Sequence, residues 1–356
     1  MKMTQPACGL VYDRAFLAHS LAQHPEGKER LEHILAVLQE SGHLARLPRL
    51  TPRYATTQEI ATVHTAPYIR SVEVACQSGE HYLDPDTYIV PESYEVALLA
   101  AGSALIGLAA IMEGALQKVF VLCRPPGHHA EYDRAMGFCL FNNVAIAARV
   151  ALDKYGLKRI AIIDWDAHHG NGTQNTFYTD PSVLVISLHH SPGYPGTGHL
   201  NEVGRGQGRG YNINIPLPGG CHDADYALFF DRVIIPVLDA YQPELIIISA
   251  GQDAYHKDPL GGMQVTWQGF DYMARALTRV AKHCAQGRML LCLEGGYHLN
   301  GAAQAVRYII DALLEHPDMP PSELPPAMLN HGSKGLLAQV IALQGEYWPL
   351  SNTTSN

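Results

Sequence analysis

The chain has 356 residues, 47% of them hydrophobic and 17% charged, with a formal net charge of −9 and a pI near 6.1. This composition excludes gross disorder and supplies ample apolar material for a large core. It also excludes the basic surface that sequence-independent nucleic-acid binding needs, so no direct nucleic-acid partner is expected. Seven cysteines, an odd number without a Cys-X-X-Cys pair, argue against a disulfide framework and for a reducing compartment such as the cytoplasm. The opening MKMTQPACGLVYDRAF lacks the apolar stretch of a signal peptide. No run of about 18 apolar residues is found, so no membrane span is expected. The whole of 1–356 reads as a single domain, with its core at about 10–345 and a polar tail, SNTTSN, expected to fray.

In chain order, short apolar runs at 119–123, 160–164, 183–188, 245–249 and 289–293 predict strands covered on both faces. Helices are predicted at 142–154, 223–241, 266–283 and 301–315. This alternation predicts an α/β fold: three layers, doubly wound, with a mainly parallel sheet and helices on both faces. In such a sheet, ligands bind beyond the carboxyl ends of the strands. Four polar clusters stand at such ends. RPPGHH follows 119–123, DWDAHHGNG begins as 160–164 closes, SAGQDAY follows 245–249 and LEGGY follows 289–293. They are expected to converge on one face.

Asp166-Ala167-His168 offers a carboxylate and an imidazole two positions apart, which point the same way in an extended segment. Asp253, at another strand end, supplies a third ligand. Three protein ligands plus a water form the open arrangement of a catalytic zinc site. The same ligand set also suits ferrous iron or cobalt. Taken alone, an Asp-X-His is more often a turn cap beside a packed histidine; the surrounding clusters outweigh that reading.

His128 and His129 follow a stiff Pro-Pro-Gly approach. Adjacent imidazoles can serve a water and a substrate carbonyl or leaving amine. Asp164 and Asn171 are candidate partners, and a histidine on a carboxylate becomes more basic than one on a neutral amide. Tyr297, after Glu294-Gly295-Gly296, can hydrogen-bond an oxyanion.

Together these motifs resemble the histone deacetylase family over about Arg124 to Leu299, roughly half the chain. The resemblance is carried by RPPGHHAEYDRAMGFCLFNNVAIAA, DWDAHHGNGTQNTFY, SLHHSPGYPGTG, SAGQDAY and LEGGYHL, with HPEGKER upstream at His24 to Arg30. The Trp in DWD, the Asn in HHGNG and the LEGG lead-in resemble class II members. The resemblance implies an arginase/deacetylase-like fold and a zinc-dependent hydrolase of linear amides that removes acetyl groups from lysine side chains of proteins or peptides. It implies Asp166, His168 and Asp253 as ligands of one Zn²⁺, His129 as general base and acid, His128 as an electrostatic partner held by Asp164, and Tyr297 as the group polarising the carbonyl. Asn171 stands where class I members carry Asp, which implies a less basic His129. Gly137, Phe138 and Tyr194 match positions lining a narrow acyl-lysine tunnel. The resemblance also implies one or two K⁺ ions, an inner one at Asp164, Asp166, His168, Ser187 and Leu188 and an outer one at Phe177, Asp180, Val183 and Tyr211. Arg30 matches an arginine near an internal channel below the zinc.

Arginases share the fold but hold two manganese ions, using a second Asp where this chain has Tyr255. A binuclear centre is therefore disfavoured. Acetylpolyamine hydrolysis is the alternative activity. Polyamine-selective relatives place an acid at the pocket mouth, whereas the matching stretch KDPLGGM puts Leu260 there, although Glu80, Asp84 or Asp86 offer charge from another loop. An inactive acyl-lysine binder would need a lost ligand or tyrosine, and each such position is filled. The sequence leaves substrate, acyl length and oligomeric state open.

Overall fold

The computed structural model describes residues 8–315, 323–324 and 328–350; the polar tail at 351–356, expected to fray, lies outside the described residues. Eight strands form one sheet: β1 Cys8–Val11, β2 Arg49–Leu50, β3 Lys118–Val121, β4 Ile160–Asp164, β5 Val183–His190, β6 Asn212–Leu217, β7 Leu245–Ala250 and β8 Met289–Leu293. Their order is β2-β1-β3-β8-β7-β4-β5-β6, and every pairing is parallel. Parallel neighbours need long crossovers, which helices on both faces provide.

The five apolar runs of the sequence are β3, β4, β5, β7 and β8, nearly all of whose residues are fully buried. Each buried Ile or Leu there contributes about 1.5–3 kcal/mol relative to exposure. The other three strands are not apolar runs. β1 has four residues and β2 two. β6 reads NINIPL: Asn212 and Asn214 turn into a buried polar cluster around Gln174 Oε1 at 2.8 Å each, and Pro216 fits the edge position.

The helices fall into groups. Glu29–Glu40 packs on Leu299–Leu314, which packs on Trp267–Cys284; Ser93–Met112 packs on Asn143–Asp153 and on β3 and β8. Asn142 caps its helix by accepting from the Ala145 N–H at 3.0 Å. The single helix predicted over 223–241 is instead two α-helices, Asp223–Phe229 and Ile235–Tyr241, joined through a π turn at Phe230–Ile234. Pro236 cannot donate a backbone hydrogen bond, and the wider turn absorbs that gap.

The sequence reading on membrane spans needs a correction. Ser93–Met112 is 20 residues long and apolar enough to cross a bilayer by length and composition. Its apolar residues are interrupted by Gly and Ser, which disguises the run. In the structure 72% of the window is buried inside the protein, as befits a helix that is hydrophobic all round. Gly102 marks its tightest contact: a Cβ there would sit 1.9 Å from the Arg53 carbonyl oxygen.

The strand order places the site. β3, β8, β7 and β4 are consecutive neighbours at the middle of the sheet. At about 4.8 Å per strand, their carboxyl ends span only about 14 Å. RPPGHH, LEGGY, SAGQDAY and DWDAHHGNG leave those four ends side by side.

Candidate active site

Asp166 and His168 leave β4, and Asp253 leaves the adjacent β7. One ligand atom from each lies within 4.8 Å of the others. His168 Nδ1 is 3.1 Å from Asp166 Oδ1 and 3.1 Å from Asp253 Oδ2. Backbone N–H groups hold the carboxylates: Ala167 donates to Asp253 Oδ1 at 2.8 Å and Gly295 to Asp166 Oδ2 at 2.9 Å. A side chain at Gly295 would collide with Asp253 Oδ2 at 2.1 Å, so only glycine lets the β8 exit pass this closely. Burial and the Asp166 charge push Asp253 up to about 7. Two buried carboxylates in mutual repulsion with an imidazole between them are what a divalent cation relieves, so the donor set fits one such ion. Tyr255 adds no further carboxylate and stacks on Trp267 at 5.9 Å.

The two histidines differ by their partners. His128 Nδ1 is 2.9 Å from Asp164 Oδ2, and its Nε2 is 3.8 Å from Asp166 Oδ2. Burial opposes its charge, yet Asp164 and Asp166 outweigh that and push it up to about 10. His129 Nδ1 is 2.8 Å from Asn171 Oδ1. Burial, and then the positive charges of His128 and His168, hold it well below the usual histidine range. One buried imidazole is thus a cation and its neighbour a neutral base, with centroids 4.0 Å apart.

A cavity of about 250 Å³ opens onto this cluster, lined by Asp86, His129, Gly137, Phe138, His168, Tyr194, Leu260 and Tyr297. Gly137 (φ +57°) has no room for a Cβ, which would lie 2.3 Å from His129 Cδ2. The Tyr194 ring meets His129 edge-on at 5.1 Å, and the Phe138 ring meets Tyr297 edge-on at 5.8 Å. Leu260 sits at the rim, 42% exposed. Burial keeps the Tyr297 phenol protonated, well above its ordinary range. Arg30 stacks over the Tyr297 ring at 4.9 Å and donates to the Gly296 carbonyl at 2.7 Å and to that of Glu294.

A histone deacetylase domain profile matches residues 24–313. The chain belongs to the histone deacetylase family. It is 43% identical over 298 residues to a probable deacetylase of Archaeoglobus fulgidus, covering 83% of this chain and 82% of that protein. It is 37% identical over 379 residues to histone deacetylase 4 of Caenorhabditis briggsae, covering 96% of this chain but only 42% of that protein. The crystal structure of the HDA15 HD domain superposes with a TM-score of 0.90 at 38% identity, covering 97% of this chain and 96% of that one. The chain is accordingly a class II-type histone deacetylase-family amidohydrolase, and the eight-stranded parallel sheet is the family's fold.

Among the residues that the resemblance linked to monovalent ions, some are neighbours in the structure. Asp164 and Ser187 are register partners on β4 and β5. Asp180 accepts from the Ser182 N–H at 3.0 Å and pairs with Arg149 at 2.5 Å. The Arg149 guanidinium lies 4.6 Å over the Phe177 ring, so a protein cation already stands beside the outer group. The Tyr211 carbonyl accepts from the Val185 N–H at 2.9 Å.

Several residues escaped the sequence reading. Glu26 is fully buried between Arg30 and Arg124, accepting from Arg30 at 3.0 Å and from Arg124 at 2.6 Å. This pairing braces the loop that carries Tyr297. Glu294 accepts from the Gly127 and His128 N–H groups at 2.6 and 3.2 Å and so holds the histidine loop. Asp258 accepts from the Tyr297 and His298 N–H groups, and Glu131 accepts from Asn171. Each of these carboxylates sits inside a quoted motif, but apart from Arg30 the partners named lie far off in sequence.

Proposed function

We propose that this chain removes acyl groups, acetyl foremost, from lysine side chains of proteins or peptides. The observation that carries the reading is the narrow cavity that runs from Leu260 at the rim, between Phe138 and Tyr194, to the Asp166–His168–Asp253 cluster. Flat aromatic walls suit an uncharged alkyl chain, and the polar groups wait at the bottom, where an amide would lie.

Asp166, His168 and Asp253 would hold the zinc, which as a Lewis acid polarises a carbonyl and makes water more acidic. His129 Nε2, unprotonated near neutral pH, takes a proton from the attacking water and later returns it to the leaving amine. His128, a cation through Asp164, favours the growing negative charge by its field. The Tyr297 hydroxyl donates to the substrate oxygen most strongly once that oxygen is negative, so it binds the transition state better than the ground state. Gly137, Phe138 and Tyr194 orient the chain of the substrate. One or two K⁺ ions at the groups around Asp164 and Asp180 belong to this reading as structural ions.

Acetylpolyamine hydrolysis is kept as a second reading because Asp86 lines the same cavity as Leu260 and offers a carboxylate to a distal ammonium. Steady-state kinetics on acetyl-lysine peptides, longer acyl-lysines and acetylated polyamines test the two. Higher kcat/KM for the peptides supports the proposal. A preference for acetylpolyamines by tenfold or more, about 1.4 kcal/mol of discrimination, would replace it with the second reading.

A further inference from the structure

His129 can take a proton at Nε2 only if its other nitrogen, Nδ1, carries the hydrogen. A neutral imidazole has two tautomers, and the partner of one nitrogen decides which is present. Here the partner is the side-chain amide of Asn171, which can turn either an oxygen or an NH₂ toward Nδ1. An asparagine by itself is therefore an ambiguous anchor, unlike a carboxylate, which accepts from either oxygen. Something beyond Asn171 must set its direction.

The surroundings of Asn171 Nδ2 do so. Glu131 Oε1 lies 2.6 Å away, the His129 carbonyl oxygen 3.3 Å and Met136 Sδ 3.2 Å, and all three are acceptors. The amide must place its NH₂ among them, so its oxygen faces His129 Nδ1 at 2.8 Å and accepts from it. Glu131 is itself held firmly. It is 4% exposed, its two oxygens each receive Asn175 Nδ2 at 2.9 Å, and Arg134 stands 3.7 Å away. Its backbone carbonyl accepts from His64 Nδ1 at 2.8 Å.

We propose that Glu131 is a positioning residue: by fixing the orientation of the Asn171 amide it holds His129 in the Nδ1–H tautomer, leaving the Nε2 lone pair toward the cavity. The proposal deepens the hydrolase reading above and rests on it for the use made of that lone pair. No atom of Glu131 needs to touch substrate. The chain from carboxylate to amide to imidazole passes a direction, not a proton.

Nitrogen-15 histidine NMR on the intact protein reads the tautomer directly, with His129 assigned by its loss in His129→Gln. Wild type should show hydrogen on Nδ1; hydrogen on Nε2 would overturn the proposal without any other variant. Glu131→Leu should mix the tautomers and lower kcat about tenfold with KM nearly unchanged, as loss of a ligand-orienting partner does, at equal metal content. Glu131→Gln, which keeps an acceptor for Asn171, should recover most of the rate. In an Asn171→Asp background, where either oxygen accepts, Glu131→Leu should cost nothing further. An unchanged tautomer and a rate within twofold for Glu131→Leu would refute the role. Should the protein hydrolyse no acyl amide at all while the tautomer still follows residue 131, the positioning stands and the functional reading falls.

Discussion

Asp258 Oδ2 accepts hydrogen bonds from the backbone N–H of Tyr297 at 2.6 Å and of His298 at 3.0 Å, while its Oδ1 accepts from Leu260 at 2.9 Å. One half-buried carboxylate thus ties the rim of the cavity to the loop that carries the phenol at its floor. Asp258→Ala should loosen both together. Kinetics should show a drop in kcat of up to roughly 100-fold, the scale of a misplaced group, together with altered preference among acyl chain lengths. A variant that loses rate with unchanged chain-length preference would separate the two ends.

Tyr297→Phe removes the donor but keeps the ring against Phe138 and Arg30. The expected loss is on the order of 10² to 10³ in kcat, with substrate affinity roughly intact. If Asp258 acts through Tyr297, Asp258→Ala should cost far less in the Tyr297→Phe background than alone. Retention of more than about half the rate by Tyr297→Phe would remove Tyr297 as the oxyanion donor.

Elemental analysis should find about one tightly held divalent ion per chain, as three open-site ligands imply. Asp253→Ala should abolish that binding. Because the ion binds only the assembled cluster, it should raise stability by about 4 kcal/mol at a thousandfold excess over Kd, seen as a lower Tm after chelation. Two ions per chain would revive the binuclear arrangement that Tyr255 disfavours.

Leu260→Glu places a carboxylate at the exposed rim of the cavity that Asp86 also lines. Activity on acetylspermidine-like substrates should rise relative to acetyl-lysine peptides, because a distal ammonium gains a partner. Equal relative rates before and after the change would mean that the rim does not select the substrate.

His64 Nδ1 donates to the Glu131 carbonyl and its Nε2 accepts from the Asn142 N–H at 2.9 Å, so the ring is built to be neutral. Burial lowers it from 6.5 to about 4, although the bond to the Glu131 carbonyl works the other way. The folded-state value lies below the unfolded one, so folding excludes a proton here. There is no penalty above about pH 7; stability falls as pH drops from 6.5 toward 4, by roughly 3 kcal/mol in all. Urea unfolding at pH 8 and pH 5 should show this loss in wild type and a smaller one in His64→Gln, which is neutral at both. Equal losses in the two proteins would place the acid sensitivity at other histidines that burial holds neutral, among them His19, His169 and His189.

The centre of the sheet was legible because β3, β4, β5, β7 and β8 are buried on both faces and so read as unbroken apolar runs. The candidate cluster of Asp166, His168 and Asp253 could be picked out because these residues stand just beyond β4 and β7. β6 was not, since its asparagines face a buried polar cluster and break the pattern. The supporting carboxylates Glu26, Glu131, Asp258 and Glu294 were not legible as such either. Their roles depend on partners 39 to 167 residues distant, or on which atom of an amide faces which neighbour, and no local spacing encodes that.

The candidate metal ligands belong to adjacent strands, β4 and β7, that are separated in sequence by β5, β6 and three α-helices and joined only when the middle of the sheet closes. A chain still searching for its fold therefore offers at most the Asp166–His168 pair. Metal capture becomes a clock for assembly: during refolding, high-affinity uptake should begin only as β4 zips onto β7, after helices have formed on their faster timescale. By the same token a fragment ending before β7 would carry the histidine pair, the asparagine and most of the cavity wall, and yet be chemically silent.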